Sequence, residues 1–343
     1  MRVAHWSLFA PGQSGMYETT KDLVIAQREA GIDSGLICMN SLHVSQRDGA
    51  FVTETTRYAD LADIYVLHSR IEVPFYGDGT PIVFVMHGHP LYTWQSEIYG
   101  LEPGNAAPWT TSLNYFLDFA NIQRAVTFWP DQLGYWQVLD GPRAESRLRS
   151  IPRGIVFGNR YRPDGDKALL AGSPVLVVCD SFRLFKDSLA TWFGAAIFAR
   201  KYPEARLHLF AMPDAGNLIG DAIRRLSSLS EMHAVVARIE GLQREVEKVF
   251  RGADILLSTV RGESCVAIEA AACGCDVITQ SAANTHEADF RSPAAIAETI
   301  ERVWLERQAE GPERRERLYA ETVEAYDITR TVEGMKAVYE ELL

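Results

Sequence analysis

The sequence predicts an α/β protein built from two doubly wound, Rossmann-like domains. Three observations carry this. Short runs rich in Val, Ile and Leu alternate with helical stretches, the pattern of parallel strands covered on both faces. The series stops at a polar stretch rich in Gly, Pro and charge, "GNRYRPDGDK" (158–167), and then begins again. At 343 residues the chain is too long for one ordinary core and suits two domains.

The elements follow in order. "RVAHWSLF" reads as the first strand, and Gly12 and Gly15 punctuate the loop after it. "YETTKDLVIAQREAG" is a helix closed by Gly31, and "DSGLICM" is the next strand. "ADIYVLH" and "PIVFVMH" are two more, each ending in a histidine, His68 and His87; "RAVTFW" and "RLRSIP" complete the first series. The second runs through the strand "PVLVVCD", the helix "SLATWFGAAIFARKYP" and the strands "ARLHLFAM" and "EMHAVVA". It continues with the helix "GLQREVEKVFRGA", the strand "DILLSTV", the helix "CVAIEAAACG" and the strand "DVITQ". From about residue 293 the chain reads as helical to its end. The expected domains are 1–162 and 168–328, with a last helix at 329–343 packing back on the first.

Composition narrows the function. A 47% apolar and 23% charged chain is globular. No apolar run is long enough to span a membrane, and "MRVAHWSLFAPGQSG" lacks the form of a signal peptide, so a cytoplasmic location is expected. Five cysteines, with Cys273 and Cys275 the one close pair, show no zinc spacing and read as reduced core residues. The net charge of −11 argues against a polyanion binder, although Arg143, Arg147, Arg149 and Arg153 form a local basic row that reads either as a groove or as a solvated face.

Ligands of doubly wound sheets bind at the carboxyl ends of the strands, so polar residues there are the candidates. "APGQSG" leads into a helix N-terminus and fits a phosphate cradle and a plain turn equally well. Arg183 and Lys186 stand where "PVLVVC" stops; they can grip a diphosphate, or simply balance Asp180 and Asp187. In "RGESCVAIEAAACG", Ser264 is placed as an N-cap, and the alanines let the helix lie close to the sheet. Glu269, inside that small apolar run, needs a protein partner or a ligand; a ribose diol suits a carboxylate that accepts two hydrogen bonds. His87 ends its strand facing the expected cleft, with His68 and His89 nearby; His5, His43, His208, His233 and His286 read as structural. No histidine pair at metal-ligand spacing accompanies them.

Taken together, these motifs resemble the retaining GT-B glycosyltransferases, in particular the large family 4. The resemblance runs through "GQSGMYETTKDLVIAQREAGIDSGLI", the two His-ended strands, "RSIPRGIVFGNRYRP", "SFRLFKD" and "GADILLSTVRGESCVAIEAAACGCDVI", in the family's order. It implies two Rossmann-like domains with a cleft between them. It also implies transfer of a sugar, a hexose above all, from a nucleoside-diphosphate sugar, UDP-sugar foremost, with retained configuration and no metal or other cofactor. Carried over by position, Glu269 holds the ribose, and Arg183 and Lys186 hold the diphosphate and serve as catalytic residues with His87. Gly12, Gly15, Glu263 and the amides of Ser264, Cys265 and Val266 complete the donor side; His89, Tyr92 and Trp94 are acceptor-side candidates in an aromatic loop. The chain departs from the pattern at Arg261, where the family has a glutamate, in an Arg183-to-Lys186 spacing of three, and at Asp276, where a proline is usual.

The opening segment also resembles phage glycosyltransferases, some of which modify hydroxymethylated DNA bases. The acceptor is therefore a glycan or small molecule on one reading and modified DNA on another. A third reading is a nucleotide-binding GT-B protein that has lost transfer.

Overall fold

The computed structural model describes residues 1–7, 15–38, 62–68, 79–87, 122–130, 132–179, 189–212, 218–258, 264–279 and 285–343. They form two compact units, one of residues 1–156 with 326–343 and one of residues 157–325.

The first unit is a six-stranded parallel sheet of β1 (Arg2–Ser7), β2 (Asp33–Cys38), β3 (Ile64–Leu67), β4 (Ile82–Met86), β5 (Ile122–Thr127) and β6 (Leu148–Ser150), in the order β2-β1-β3-β4-β5-β6. Alternation along the strands splits their side chains between two cores. Ala4, Trp6, Tyr65, Leu67, Phe84 and Met86 fill one face. Val3, Ile64, Val66, Val83 and Val85 fill the other, with Leu23 of helix α1 (Gly15–Glu29). Burial on both faces explains why the strands read as continuous apolar runs. Helices α2 (Gln132–Asp140) and α3 (Pro142–Arg147) join β5 to β6.

The second unit carries β7 (Val175–Cys179), β8 (Arg206–Phe210), β9 (Val236–Ile239), β10 (Ile255–Leu257), β11 (Asp276–Thr279) and β12 (His286–Glu287). Their order, β9-β8-β7-β10-β11-β12, is all parallel. It is the 3-2-1-4-5-6 arrangement of dinucleotide-binding sheets. Helices α4 (Leu189–Ala199), α5 (Leu218–Ser227), α6 (Ser230–Val235), α7 (Val246–Gly252) and α8 (Cys265–Ala272) connect the strands. Three more, α9 (Pro293–Glu310), α10 (Glu313–Tyr326) and α11 (Ile328–Glu340), end the chain.

Two sequence expectations need correcting. "EMHAVVA" is not one strand: α6 runs through Val235 and β9 starts at Val236. Met232 and Val235, three apart, are both buried, which is helical spacing. The polar stretch after residue 157 is also no free linker. Arg251 of α7 donates to the carbonyls of Arg160 (2.6 Å), Arg162 (2.9 Å) and Asp166 (2.6 Å), which pins that stretch to the second unit.

Gly194 sets how α4 meets α9. A Cβ there would lie 2.6 Å from Ile296 Cγ2 and 2.8 Å from its Cβ, so the absence of a side chain admits the close approach. Trp192, Ala195, Ile296 and Ile300 bury themselves around that contact.

Candidate functional site

The two strand orders locate the places to look. The order reverses between β1 and β3 in the first unit and between β7 and β10 in the second. Ligands of such sheets sit outside the carboxyl ends of the strands at those switch points.

In the second unit, seven residues separate the end of β10 from the start of α8. Ser264 takes extended backbone angles (φ −83°, ψ 147°), and its Oγ accepts from the Ala267 amide at 3.1 Å. The cap leaves other first-turn amides of α8 without intrahelical partners. Ala267, Ala270, Ala271 and Ala272 are buried, so the helix lies tight against the unit. Its end is set by Gly274, whose φ of +76° few side chains tolerate and whose Cβ would strike Arg315 at 2.8 Å.

Glu269 lies one turn into α8 and is partly exposed. It has a protein partner that the sequence did not reveal: the Tyr161 hydroxyl donates a hydrogen bond to its carboxylate. Burial and the Glu269 charge together push the Tyr161 pKa upward, so the phenol stays protonated and remains a donor. Arg160 stacks its guanidinium over the Tyr161 ring, 5.1 Å from the centroid, and pairs with Glu247 at 3.1 Å. A carboxylate offers about four lone-pair positions. Tyr161 takes one of these and orients the group. Ser258, directly after β10 and beside the switch point, buries an Oγ that has no partner among the described residues.

Asp276, the departure from proline, is explained by structure rather than ligand. It is fully buried and accepts from Arg307 Nη1 (2.7 Å), Arg314 Nη2 (2.7 Å) and His286 (3.2 Å). Burial alone would raise its pKa; hydrogen bonds from His286 and Arg314 and the two arginine charges outweigh that and hold it at about 2. His286 is thereby structural.

In the first unit, three histidines meet at the switch point. His5 lies within β1, and His68 and His87 directly follow β3 and β4. His5 Nδ1 faces His68 Nε2 at 2.8 Å, and His68 Nδ1 faces His87 Nε2 at 2.8 Å. His5 and His68 are buried, while His87 is partly exposed. Burial keeps all three below the ordinary histidine range: His5 at about 4, despite its bond to Gln27, and His87 at about 3, helped by the Arg153 charge. The neighbouring rings add to the lowering at His68. His87 packs on Phe128 with ring centroids 5.9 Å apart, and Arg153 lies over the same ring at 5.6 Å.

Two of the four arginines of the basic row, Arg149 and Arg153, are taken up within the unit. Arg149 and Arg124 grip Glu341 (2.7 and 2.8 Å) and hold its pKa at about 2, and Arg153 is buried. Cys179, Cys265, Cys273 and Cys275 are free thiols, and burial pushes Cys273 up to about 12. Gly15 opens α1. Cys265 and Val266 form the first turn of α8, half-buried. Gly12, His89, Tyr92, Trp94, Arg183, Lys186, Arg261 and Glu263 lie outside the described residues. Among the described residues no cluster of three metal-ligating side chains converges on one point, and no helix is long and apolar enough to cross a membrane.

No protein-family model matches the chain, and no curated protein matches it in sequence. Solved structures do match. Sucrose-phosphate synthase of Thermosynechococcus elongatus superposes with a TM-score of 0.71 at 15% identity, over 99% of this chain and 98% of that one. Anabaena HepE, in complex with UDP-glucose, gives 0.72 at 12% identity over the whole of both chains. A glycosyltransferase of Rickettsia africae gives 0.68 at 10% identity over 99% and 98%. With its two parallel six-stranded units and this full-length likeness, the chain has the GT-B fold.

Proposed function

We propose that the chain is a glycosyltransferase that moves a sugar from a UDP-sugar to an acceptor hydroxyl with retained configuration. One observation carries the reading furthest. The capped N-terminus of α8 follows the switch-point strand β10, and Glu269 sits one turn behind it with Tyr161 fixing its carboxylate. A helix N-terminus favours phosphate, and an oriented carboxylate favours a ribose diol. One nucleoside diphosphate satisfies both. The binding of UDP-glucose by HepE, a protein of the same fold, supports uridine as the base.

On this reading the first-turn amides of α8, with Arg183 and Lys186, take up the charge that develops on the departing diphosphate. The acceptor oxygen bonds to the anomeric carbon as the bond from that carbon to the phosphate oxygen breaks. The acceptor proton passes to the leaving phosphate, so atoms and charge balance without a protein nucleophile. His87 contacts the transferred sugar. The Arg183 and Lys186 cations and the helix amides make a divalent metal unnecessary.

The test is a donor panel of UDP-, GDP-, ADP- and TDP-sugars read by thermal shift, followed by transfer assays with and without EDTA. A UDP-sugar is expected to stabilise the chain, since a ligand that binds the folded state raises its melting temperature. Transfer is expected to persist in EDTA. The acceptor panel should include glycans, small alcohols and hydroxymethylated DNA; internal use of Arg149 and Arg153 favours the first two. Binding of UDP with no transfer to any acceptor would assign the chain to nucleotide binding alone.

A further inference from the structure

The three histidines form a chain with a direction, and Gln27 sets it. The Gln27 side-chain nitrogen donates to the Tyr339 hydroxyl at 3.0 Å. Its Oε1 accepts from Ser34 Oγ at 2.6 Å and faces His5 Nε2 at 2.8 Å. An amide oxygen only accepts, so the hydrogen of His5 lies on Nε2. A neutral imidazole carries one N–H, which leaves His5 Nδ1 a bare acceptor. That nitrogen faces His68 Nε2, so the His68 hydrogen also lies on Nε2. The same step repeats between His68 Nδ1 and His87 Nε2. The chain ends with His87 Nδ1 as a lone-pair nitrogen that has no partner among the described residues.

This proton order needs three neutral rings, and burial keeps each of them neutral. Arg153, near His87 across the Phe128 ring, opposes any gain of charge at the outer end. A fully bonded buried chain polarises along its length and holds one proton order. The last turn of α11 takes part too, because its Tyr339 anchors Gln27.

We propose that Gln27, His5 and His68 are positioning residues that hold His87 as the Nε2–H tautomer, so that Nδ1 accepts a hydrogen bond from a substrate hydroxyl. That the hydroxyl belongs to the transferred sugar or the acceptor rests on the glycosyltransferase reading; the proton order does not. The ligand class follows from the chemistry: a neutral acceptor nitrogen selects a donor such as a sugar hydroxyl and gives no attraction to a carboxylate or phosphate. A histidine at this place need not act as a base, since its neighbours prevent it from keeping a proton.

The experiment is nitrogen-15 NMR of the full chain labelled at histidine, at neutral pH. The imidazole shifts should show His5, His68 and His87 all neutral and all protonated on Nε2. Gln27→Met removes the accepting oxygen, and His87 should then give averaged shifts from both tautomers. In the same variant kcat should fall by about tenfold with the donor KM nearly unchanged, a split that a loosened fold would not give. A hydrogen on His87 Nδ1, a charged ring, or an unchanged single tautomer in a folded Gln27→Met chain would overturn the proposal. If Gln27→Met does not fold, the wild-type spectrum alone still decides the proton order. The expected spectrum in a chain that transfers no sugar would end the transferase reading and leave the histidine chain standing. Transfer by a chain whose His87 is protonated on Nδ1 would do the reverse.

Discussion

At the scale of single residues, Glu269 and Tyr161 act as a pair. Glu269→Ala should weaken UDP binding by about 1–3 kcal/mol, the usual worth of hydrogen bonds to a charged group. Tyr161→Phe keeps the ring under Arg160 but removes the phenol's hydrogen bond to the carboxylate, so isothermal titration should show a smaller loss, about 1 kcal/mol. Equal nucleotide affinity in both folded variants would remove the pair from the site. Asp276 should behave differently. Asp276→Ala takes from Arg314, 2% exposed, and Arg307 their shared buried carboxylate and leaves them only the more exposed Glu310 and Asp254, so the folded state should lose about 3 kcal/mol in urea titrations. Much of this pairing was hidden from the sequence. Glu269 stood out because a charge in an alanine run is locally odd. Tyr161 did not, because it sits in a stretch that reads as a polar linker and meets Glu269 only after folding. His68 and His87 announced themselves at strand ends, whereas His5 looked like one more strand residue.

At the scale of elements, α8 is short and depends on its start. Ser264→Ala removes the hydrogen bond to the Ala267 amide and should cost about 1 kcal/mol, seen as a lower denaturation midpoint. The α4–α9 contact depends on a missing side chain instead. Gly194→Ala drives a Cβ into Ile296, and overpacking of this kind should cost about 1–3 kcal/mol despite alanine's better helix propensity. A gain in stability would mean that the two helices separate easily. Strands buried on both faces and helices with clear stop signals were legible because their signals are local. The α6-to-β9 boundary was not, because "EMHAVV" is apolar enough for either state and only burial of Met232 beside Val235 decides it. Segments joining strand to helix carry Arg183, Lys186, Arg261 and Glu263, and these stay as sequence expectations.

At the scale of the whole molecule, the histidine chain makes stability depend on pH. In the unfolded chain each ring binds a proton below its ordinary value of 6.5; in the folded chain His5 resists to about 4 and His87 to about 3. The unfolded state therefore holds more protons across that window, and stability falls as pH drops through it. Each ring should contribute a slope of about 1.4 kcal/mol per pH unit. Urea midpoints should be flat above pH 7 and decline from about pH 6 to 4, less steeply in His5→Phe. A flat profile through pH 5 would show that the rings charge without strain. Asp276 adds its own loss only between its ordinary 3.8 and about 2, below that range.

The chain also leaves its first unit at residue 156 and returns to it at Tyr326, where α11 brings Val332, Met335, Val338 and Tyr339 into the valine-lined core. Residues 157–325 are continuous, and as a fragment they should fold alone, whereas 1–156 alone should not, as circular dichroism and urea titration can check. On the ribosome this inverts the usual sequence of events, in which the first-made domain closes first. The strands of the first unit have one apolar face only partly covered, by α1, until α11 has emerged, by which point the second unit can already complete its core. Until α11 emerges the nascent first unit stays unfinished, and chaperone contact should concentrate on its strands.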